Sequence, residues 1–341
     1  MVKNKISVII PMKNAQHTII RTLASLISNM DWIANVVVVD DGSTDDGPEL
    51  VQIFSDNYPQ VELYSSSGSD NPGVARRDGI YYADGEWITF VDADDCLTAS
   101  SLRYVLNKLN EYGDDIVLLH TKTLYYESGN FNTDSIEFQD LSCGGNFYRK
   151  DYLIKHNLLP HSNLPMSEDE YFNSIVTNYI DLVDGTADRT WWDYPVYEVH
   201  HDIDDGLSYA TSNWQDYLIK YHLLSQIYVS DFFKPYVDLN DPLRYRYMNN
   251  YVFCYFMLLG IMLDNDVDCN VQDALEDFTN ALDYYYDRFG GSDADMIQFY
   301  NDEDIESIQS AAEISTGVKI EPFIAFEEFI RNLHPESNGS N

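Results

Sequence analysis

The chain has 341 residues, of which 45% are apolar, and its 57 acidic and 20 basic side chains give a formal net charge of −37. An apolar fraction of this size builds a folded core, which excludes an intrinsically disordered chain. A surface this negative repels nucleic acid and anionic lipid, so we expect neither as a partner. The four cysteines include no C-x-x-C pair, so neither a zinc site nor a disulfide framework is predicted.

The first segment, MVKNKISVIIP, lacks the apolar stretch and the small-residue cleavage site of a secretory signal. The longest apolar run, residues 252–263, is too short to span a bilayer and is typical of a buried helix. The sequence therefore predicts a cytoplasmic protein without a transmembrane segment, either free or peripheral at the inner face of the membrane.

Strand and helix patterns alternate from residue 5 to residue 126. Runs rich in Val and Ile predict strands at KISVIIP (5–11), the valine run of NVVVVDDGSTDDG (35–47), QVELYSS (60–66), EWITFVDADD (86–95) and DIVLLHTKTLYY (115–126). Apolar residues at helical spacing predict helices at 14–30, 48–56, 73–84 and 98–111. Buried runs without alternation are typical of a parallel sheet covered on both faces. We predict an α/β fold with an open, mostly parallel, Rossmann-like sheet flanked by helices.

Beyond about residue 210 the pattern becomes helical. Helices are predicted at 214–233, 251–263, 271–291, 305–315 and 321–333, the third ending at Gly290–Gly291 as a C-cap would. We therefore expect a first domain over residues 1–208 and a mainly α-helical region over 209–341. Tyrosines at helical spacing favour packing or homo-oligomer formation for this region, with ligand binding as the alternative.

The segment VVDDGSTDDG, residues 38–47, follows a predicted strand and matches no common nucleotide or metal loop. It lacks the G-x-G-x-x-G of dinucleotide binding, the Gly-Lys-Ser/Thr of a Walker loop, and the residues that an EF-hand needs at positions 46 and 52. It does offer two carboxylates, Asp40 and Asp41, that can accept hydrogen bonds from a base N–H or from ribose hydroxyls. A solvated turn is the alternative interpretation.

A second acidic cluster, DADD, follows the next strongly apolar strand. Hard divalent cations prefer carboxylate oxygens, and residues two apart on an extended segment point to the same side. Asp92 and Asp94 could thus share a metal or a metal-bound nucleotide, with Asp95 turned elsewhere. A D-x-D pattern alone is weak evidence for a metal site, because acidic chains produce it by chance.

The segment NPGVARRDG (71–79) places two arginines, Arg76 and Arg77, near the start of a predicted helix. Their side chains and the helix dipole favour the binding of an anion. A surface pair of arginines among acidic residues is the alternative.

These segments, in this order, resemble a known family. ISVIIPMKNA, VVVVDDGSTDD, NPGVARRDG and ADGEWITFVDADD look like the nucleotide-binding half of family 2 glycosyltransferases, which have the GT-A fold. CGGNFYRKDYLIKHNLLP followed by SEDEYF (167–172) resembles the acceptor half. The likeness covers roughly residues 5–205. It implies a GT-A catalytic domain with a nucleotide-sugar half over about 1–97 and an acceptor half over about 98–208.

The resemblance implies which residues contact the donor. Pro11 and Asn14 would lie near the nucleotide base, and Asp40 or Asp41 would accept a hydrogen bond from a uracil-like N–H. Arg76 would approach the ribose and the diphosphate. The implied donor is a nucleoside-diphosphate sugar, and a UDP-sugar in particular.

The resemblance also implies a divalent cation, Mn²⁺ or Mg²⁺, bridging the diphosphate. Asp94 would coordinate it with Asp95 in support, while Asp92 would bind ribose or sugar hydroxyls or share the metal. Enzymes of this family can use a late histidine as a further metal ligand, and His200 or His201 could serve. A loop histidine with an ordinary partner is the alternative for both.

In SEDEYF, Asp169 would be the general base for the acceptor hydroxyl. Glu168 and Glu170 compete for that role, because the sequence does not fix which carboxylate faces the substrate. Arg77 stands where the family often has Asn, and it is either a second diphosphate contact or a helix-surface residue.

The implied enzyme is an inverting hexosyl- or N-acetylhexosaminyltransferase of polysaccharide biosynthesis. It would act on a hydroxyl of a glycan, a cell-surface polymer or a glycoprotein. Two other classes compete with it. A sugar nucleotidyltransferase would need a Gly-rich loop after the first strand, and IIPMKNAQH has none. A non-catalytic glycan or nucleotide-sugar binding module would not need acids at 92, 94 and 169.

Overall fold

The computed structural model describes residues 5–66, 70–127, 130–132, 142–200, 214–236, 240–263, 271–302, 305–316, 318–322 and 324–334. The chain divides into two compact units, Met1–Gly206 and Leu207–Asn341. We call them the first and the second unit.

The first unit contains one mixed sheet. Its described strands are Ile6–Met12 (β1), Ile33–Asp40 (β2), Val61–Ser65 (β3), Trp87–Phe90 (β4), Cys96–Leu97 (β5), Ile116–Glu127 (β6), Asn130–Asn132 (β7), Phe147–Arg149 (β8) and Asp188–His200 (β9). They are ordered β3-β2-β1-β4-β8-β6-β9-β5, and β7 pairs with β6. β3, β2, β1 and β4 are parallel to one another, β8 is antiparallel to both β4 and β6, and β9 is parallel to β6.

Helices lie between these strands. They are Ile19–Leu26 (α1), Gly47–Ser55 (α2), Pro72–Tyr82 (α3), Ser101–Tyr112 (α4), Lys150–Lys155 (α5) and Glu168–Leu182 (α6), with a 3₁₀ turn over Ile27–Trp32. The predicted α/β fold, a sheet flanked by helices and followed by a helical region, is confirmed.

The valine- and isoleucine-rich strands are buried because helices cover both of their faces. All seven residues of β1 are buried. On one face, Val8 and Ile10 share a core cluster with Leu23 of α1 and Leu102 of α4. On the other face α3 lies against β1 and β2, and Gly79 permits the close approach, because a Cβ at that position would collide with Ile9. The central strands therefore read as continuous apolar runs.

The structure corrects several predicted boundaries. The helix predicted over 14–30 begins only at Ile19, since residues 14–18 form a loop in which Asn14 has a φ of +51°. The strand predicted over 86–95 ends at Phe90, so the acids that follow lie in a loop. The long strand β9 was not predicted, and His200 is its last residue rather than part of a loop.

The second unit is helical in all its described elements. Its helices are Trp214–Phe233 (α7), Asn240–Leu263 (α8), Val271–Phe289 (α9), Asp293–Asp302 (α10), Glu306–Thr316 (α11) and Phe326–Leu333 (α12). α10 was not predicted. The predicted C-cap is confirmed, because Gly290 has a φ of +69° and its N–H donates to the Tyr286 carbonyl at 2.8 Å.

The core of the second unit is rich in aromatic side chains. Tyr251 and Tyr255 of α8 and Tyr285 of α9 are buried, and α8 packs against both α9 and α11. The tyrosines that stand at helical spacing in the sequence are therefore core residues at these positions. In the portion of the chain that the structure describes, no helix combines the length and apolar character needed to cross a bilayer.

Candidate active site

The acidic segments predicted at strand ends lie at one edge of the sheet. β1, β2 and β4 are parallel, and Met12 is paired with Asp40 while Ile9 is paired with Phe90. The loops that continue from these strands therefore leave the sheet on the same side. In open α/β sheets, ligands bind outside this carboxyl edge.

Asn14 joins the loop after β1 to the loop after β2. Its backbone N–H donates to Ser43 Oγ at 2.8 Å, and its side-chain oxygen accepts from the Thr44 N–H at 2.8 Å. The αL conformation of Asn14 makes this double contact possible, and Asn is one of the residues that tolerates it. Pro11 is buried in β1 beside Val39.

Asp40 and Asp41 differ in what surrounds their carboxylates. Asp41 is 4% exposed, and its carboxylate accepts from the Asn71 N–H at 2.8 Å and from the Ser66 hydroxyl. It thereby fastens the segment before α3 to the end of β2. Asp40 is only partly buried and accepts from the Ser43 N–H at 3.1 Å. Of the two carboxylates, that of Asp40 is the more accessible.

The loop Asp92–Asp95 is held through its backbone by α1. Arg21 donates from Nη2 to the Asp94 carbonyl at 2.6 Å, and the Thr22 hydroxyl donates to the Ala93 carbonyl at 2.9 Å. The Asp95 N–H closes a turn on the Asp92 carbonyl at 3.0 Å. Asp92 and Asp94 are partly exposed, whereas Asp95 is 6% exposed.

Asp95 is directed away from solvent toward β9. It accepts from the Tyr197 hydroxyl at 2.7 Å and from the His200 backbone N–H at 2.9 Å. Burial, together with the neighbouring charges of Asp92 and Asp94, raises the pKa of Asp95 well above its usual range, and the two hydrogen bonds oppose that rise. Tyr197 was not predicted as a site residue, because its only signal in the sequence is its place in the apolar run PVYEV.

Arg76 connects the acidic loop to the first turn of α6. Its guanidinium donates from Nη2 to Asp92 at 2.6 Å and from Nη1 to Glu168. The Arg76 and Glu168 side chains are each 7% exposed, so their ion pair is largely screened from water, whereas the Asp92 side chain is 43% exposed. Arg77, by contrast, is partly exposed. Burial lowers the pKa of His161, and the nearby charge of Arg77 lowers it further.

The three acids at the start of α6 occupy different environments. Glu168 and Glu170 are 5% and 7% exposed, whereas Asp169 is partly exposed. Burial and the adjacent Glu168 raise the pKa of Asp169 to about 7, although it accepts from the Glu170 N–H at 2.8 Å. Burial also raises the pKa of Glu168, against the opposing effect of Arg76.

The described residues contain no group of three or more His, Cys, Asp or Glu side chains that could hold a metal ion. His200 Nε2 lies 3.6 Å from Glu198 Oε2, and its ring lies 4.8 Å from that of Tyr126. His201 lies outside the described residues. Asp92 and Asp94 nevertheless fit a divalent cation in chemistry, since both are accessible carboxylates on a fixed backbone and Mg²⁺ typically takes only one or two of them.

Most of the first unit is similar in sequence to known proteins. Residues 7–165 match the sequence model described as Glycosyl transferase family 2. This part of the chain is therefore similar to the glycosyltransferases of that family. Its relatives include the uncharacterized glycosyltransferase YibD of Escherichia coli, 26% identical over 205 residues, which are 52% of this chain and 59% of YibD.

Another similar protein is TarS of Staphylococcus aureus, a poly(ribitol-phosphate) beta-N-acetylglucosaminyltransferase. It is 33% identical over 123 residues, covering 35% of this chain and 21% of TarS. The sequence matches thus span 59% of YibD and much less of TarS. The structure of TarS residues 1–349 with UDP-GlcNAc superposes with a TM-score of 0.55 at 18% identity, covering 93% of this chain and 82% of that one. The likeness shows a shared fold.

Proposed function

We propose that this protein is an inverting glycosyltransferase that moves a sugar from a UDP-sugar to a hydroxyl of a glycan, cell-surface polymer or glycoprotein. The observation that carries the proposal is the ion-pair network of Arg76. One buried guanidinium contacts Asp92, in the loop after β4, and Glu168, next to Asp169. This network would therefore bring donor-binding and proton-accepting groups together at one site.

The donor would lie along the carboxyl edge of the sheet. Asp40 is the carboxylate available to a uracil N–H, because Asp41 already holds the Asn71 N–H. Pro11 and Asn14 would border the base. Arg76 would approach the diphosphate by exchanging its contact with Asp92 for a phosphate oxygen. A UDP-GlcNAc complex of the structurally similar TarS supports a uridine nucleotide.

Asp94, with Asp92, would hold Mn²⁺ or Mg²⁺, and His200 at the end of β9 is the candidate for a further ligand. The cation would supply positive charge that offsets the charge growing on the leaving diphosphate. Arg76 would contribute to the same stabilisation through its guanidinium. Asp95 is turned inward and would act only in support.

Asp169 is the best placed of the three acids to act as general base. Glu168 is paired with Arg76 and Glu170 is buried, whereas Asp169 is partly exposed. Its pKa of about 7 suits a group that must accept a proton near neutral pH. The acceptor oxygen would lose its proton to Asp169 as it bonds to the anomeric carbon and the bond to UDP breaks. A single displacement inverts that carbon.

The test is a screen of UDP-, GDP- and dTDP-sugars for Mn²⁺-dependent hydrolysis, detected as release of nucleoside diphosphate. We expect release from at least one UDP-sugar, abolition by EDTA, and recovery on adding Mn²⁺. Release of pyrophosphate would indicate a nucleotidyltransferase. Binding without any release would indicate a non-catalytic module.

Asp94→Ala tests the cation site within this screen. We expect metal-dependent release to fall to background, because the variant loses the main carboxylate ligand. Asp193→Ala is the matched control, since the Asp193 side chain is 86% exposed on β9 and takes no part in the proposed site. Full activity of Asp94→Ala would contradict the metal assignment.

A further inference from the structure

The backbone of the loop Asp92–Asp95 is fixed from two sides. On one side, Arg21 and Thr22 of α1 hold the carbonyls of Asp94 and Ala93. On the other side, a single hydroxyl on β9 makes two contacts. Tyr197 accepts from the Asp92 N–H at 3.1 Å and donates to the Asp95 carboxylate at 2.7 Å.

These two hydrogen bonds connect both ends of the loop Asp92–Asp95 to one atom, the hydroxyl oxygen of Tyr197. The Tyr197 side chain is 2% exposed, and burial together with Asp95 and Asp92 raises the pKa of its phenol well above the usual value. The hydroxyl donates a hydrogen bond to Asp95 within this buried pair. The second oxygen of Asp95 accepts from the His200 N–H at 2.9 Å, so the pair is also tied to the end of β9.

The backbone at Gly144 and Gly145 lies close against the Tyr197 side chain. A Cβ at Gly144 would lie 2.8 Å from Tyr197 Cζ, and one at Gly145 would lie 2.6 Å from Tyr197 Cβ. Gly145 also has a φ of +72°, which side chains rarely adopt. Tyr197 is further held by pairing with Leu97 in the β5–β9 ladder. The two glycines of Cys143-Gly144-Gly145 thus make room for the tyrosine.

We propose that Tyr197 and Asp95 are positioning residues for the donor site. Their buried pair sets the backbone of the loop so that Asp92 and Asp94, and not Asp95, meet the diphosphate and its cation. The inference rests on the proposed function in that the loop must bind a nucleotide. Asp95 then acts through Tyr197 and makes no contact with the donor.

Tyr197→Phe removes the hydroxyl and keeps the ring, so it isolates the two hydrogen bonds. We expect the amide hydrogen of Asp92 to exchange with solvent about tenfold faster, since it loses its acceptor. We also expect the Kd of UDP in the presence of Mn²⁺, measured by calorimetry, to rise about tenfold. The pH at which donor hydrolysis is half-maximal should not move, because the general base is untouched.

Tyr152→Phe is the matched control. Tyr152 is a buried tyrosine of α5 whose hydroxyl donates to Asp184 at 3.1 Å. Loss of the Tyr152 hydroxyl should lower the melting temperature about as much as loss of the Tyr197 hydroxyl does. It should leave the affinity for UDP with Mn²⁺ unchanged. Asp95→Asn is the second variant, and combined with Tyr197→Phe it should weaken UDP binding little more than either change alone, because both break one network.

The outcomes separate this inference from the proposed function. Wild-type protein that binds UDP with Mn²⁺, together with a Tyr197→Phe variant of unchanged affinity and unchanged Asp92 exchange, would overturn the positioning role. Wild-type protein that binds no UDP and hydrolyses no donor would overturn the proposed function itself.

Discussion

Glu168, Asp169 and Glu170 show how three consecutive carboxyl groups acquire different properties. A helix turns by about 100° per residue, so neighbours on the first turn of α6 face different surroundings. Glu168 faces Arg76, Glu170 is buried, and Asp169 is partly exposed. Burial and the charge of Glu168 raise the pKa of Asp169 to about 7. Such separation of environments is how one type of side chain is given different roles.

Asp169→Asn should lower kcat for glycosyl transfer by about 10²–10⁴-fold, the usual contribution of a general base. UDP affinity should stay within about twofold, because Asp169 is assigned no donor contact. The comparison requires kcat for transfer and a separate UDP titration by calorimetry. Glu170→Gln, which alters a neighbouring buried acid, is the control. A variant that lost only UDP affinity would place the base elsewhere.

The pH dependence expected for the proposed transfer reaction follows from Asp169 as well. A general base works in its ionised form, and the raised pKa of Asp169 means that this form becomes the majority only above about pH 7. Transfer should therefore increase as the pH rises through about 7 and then level off. Residual activity of Asp169→Asn should lack that rise.

At the scale of elements, the contact between α3 and β1 depends on one missing side chain. A Cβ at Gly79 would collide with the Ile9 side chain, so the helix could not approach the strand as closely. The approach matters for the site because α3 carries Arg76 and β1 leads into Asn14. Overpacking at such a contact costs about 1–3 kcal/mol.

Gly79→Ala should therefore lower the urea midpoint of the first unit by the equivalent of about 1–3 kcal/mol. Tryptophan fluorescence reports on that unit, since Trp32, Trp87, Trp191 and Trp192 belong to it and Trp214 alone does not. The control is Gly185→Ala, because a Cβ there would meet nothing within 4 Å. An unchanged midpoint for Gly79→Ala would mean that α3 can shift without cost.

The elements that could be predicted from sequence are those with a distinctive apolar pattern. β1 and β2 are continuous apolar runs, and α9 carries its buried apolar residues at helical spacing. β9 could not be predicted, because DRTWWDYPVYEVH mixes charges, aromatics and Pro195 without one period. Its strand form comes from pairing with β6 along most of its length, which is a tertiary effect.

The candidate site was predictable only in part for a related physical reason. Acidic residues at strand ends can be recognised from the local sequence. As expected, the carboxyl end of β2 and the loop after β4 lie at the same edge of the sheet. The partners of those acids are distant in sequence. Arg76 meets Glu168, which lies 92 residues later, and Asp92 meets Tyr197 105 residues later. No local pattern encodes a hydrogen bond between such positions.

At the scale of the whole molecule, the formal net charge of −37 dominates long-range electrostatics. Like charges held in a compact chain repel one another, and unfolding moves them apart. Salt screens that repulsion over a Debye length of about 30 Å at 0.01 M and about 8 Å at 0.15 M. Moderate concentrations of salt should therefore raise the free energy of unfolding.

Raising NaCl from about 0.01 M to about 0.15 M should increase Tm by about 1–2 °C, which corresponds to about 1 kcal/mol for a chain of 341 residues. Differential scanning calorimetry gives the measurement. KCl at equal ionic strength is the control, because screening does not depend on which monovalent cation is used. A Tm that falls with salt would show that favourable ion pairs, such as those of Arg76, outweigh the net repulsion.

Tyr197 is bonded to residues about a hundred positions earlier in the sequence, so these contacts form late during synthesis of the chain. During synthesis the loop Asp92–Asp95 leaves the ribosome about a hundred residues before the strand that secures it. The Asp92 N–H and the Asp95 carboxylate cannot form their contacts until Tyr197 and His200 have emerged. Long-range pairings of this kind form late because they must close a large loop first. We expect a nascent chain that ends before β9 to lack these contacts to the loop Asp92–Asp95. The proposed affinity for nucleotide would therefore appear only in the last step of folding of the first unit.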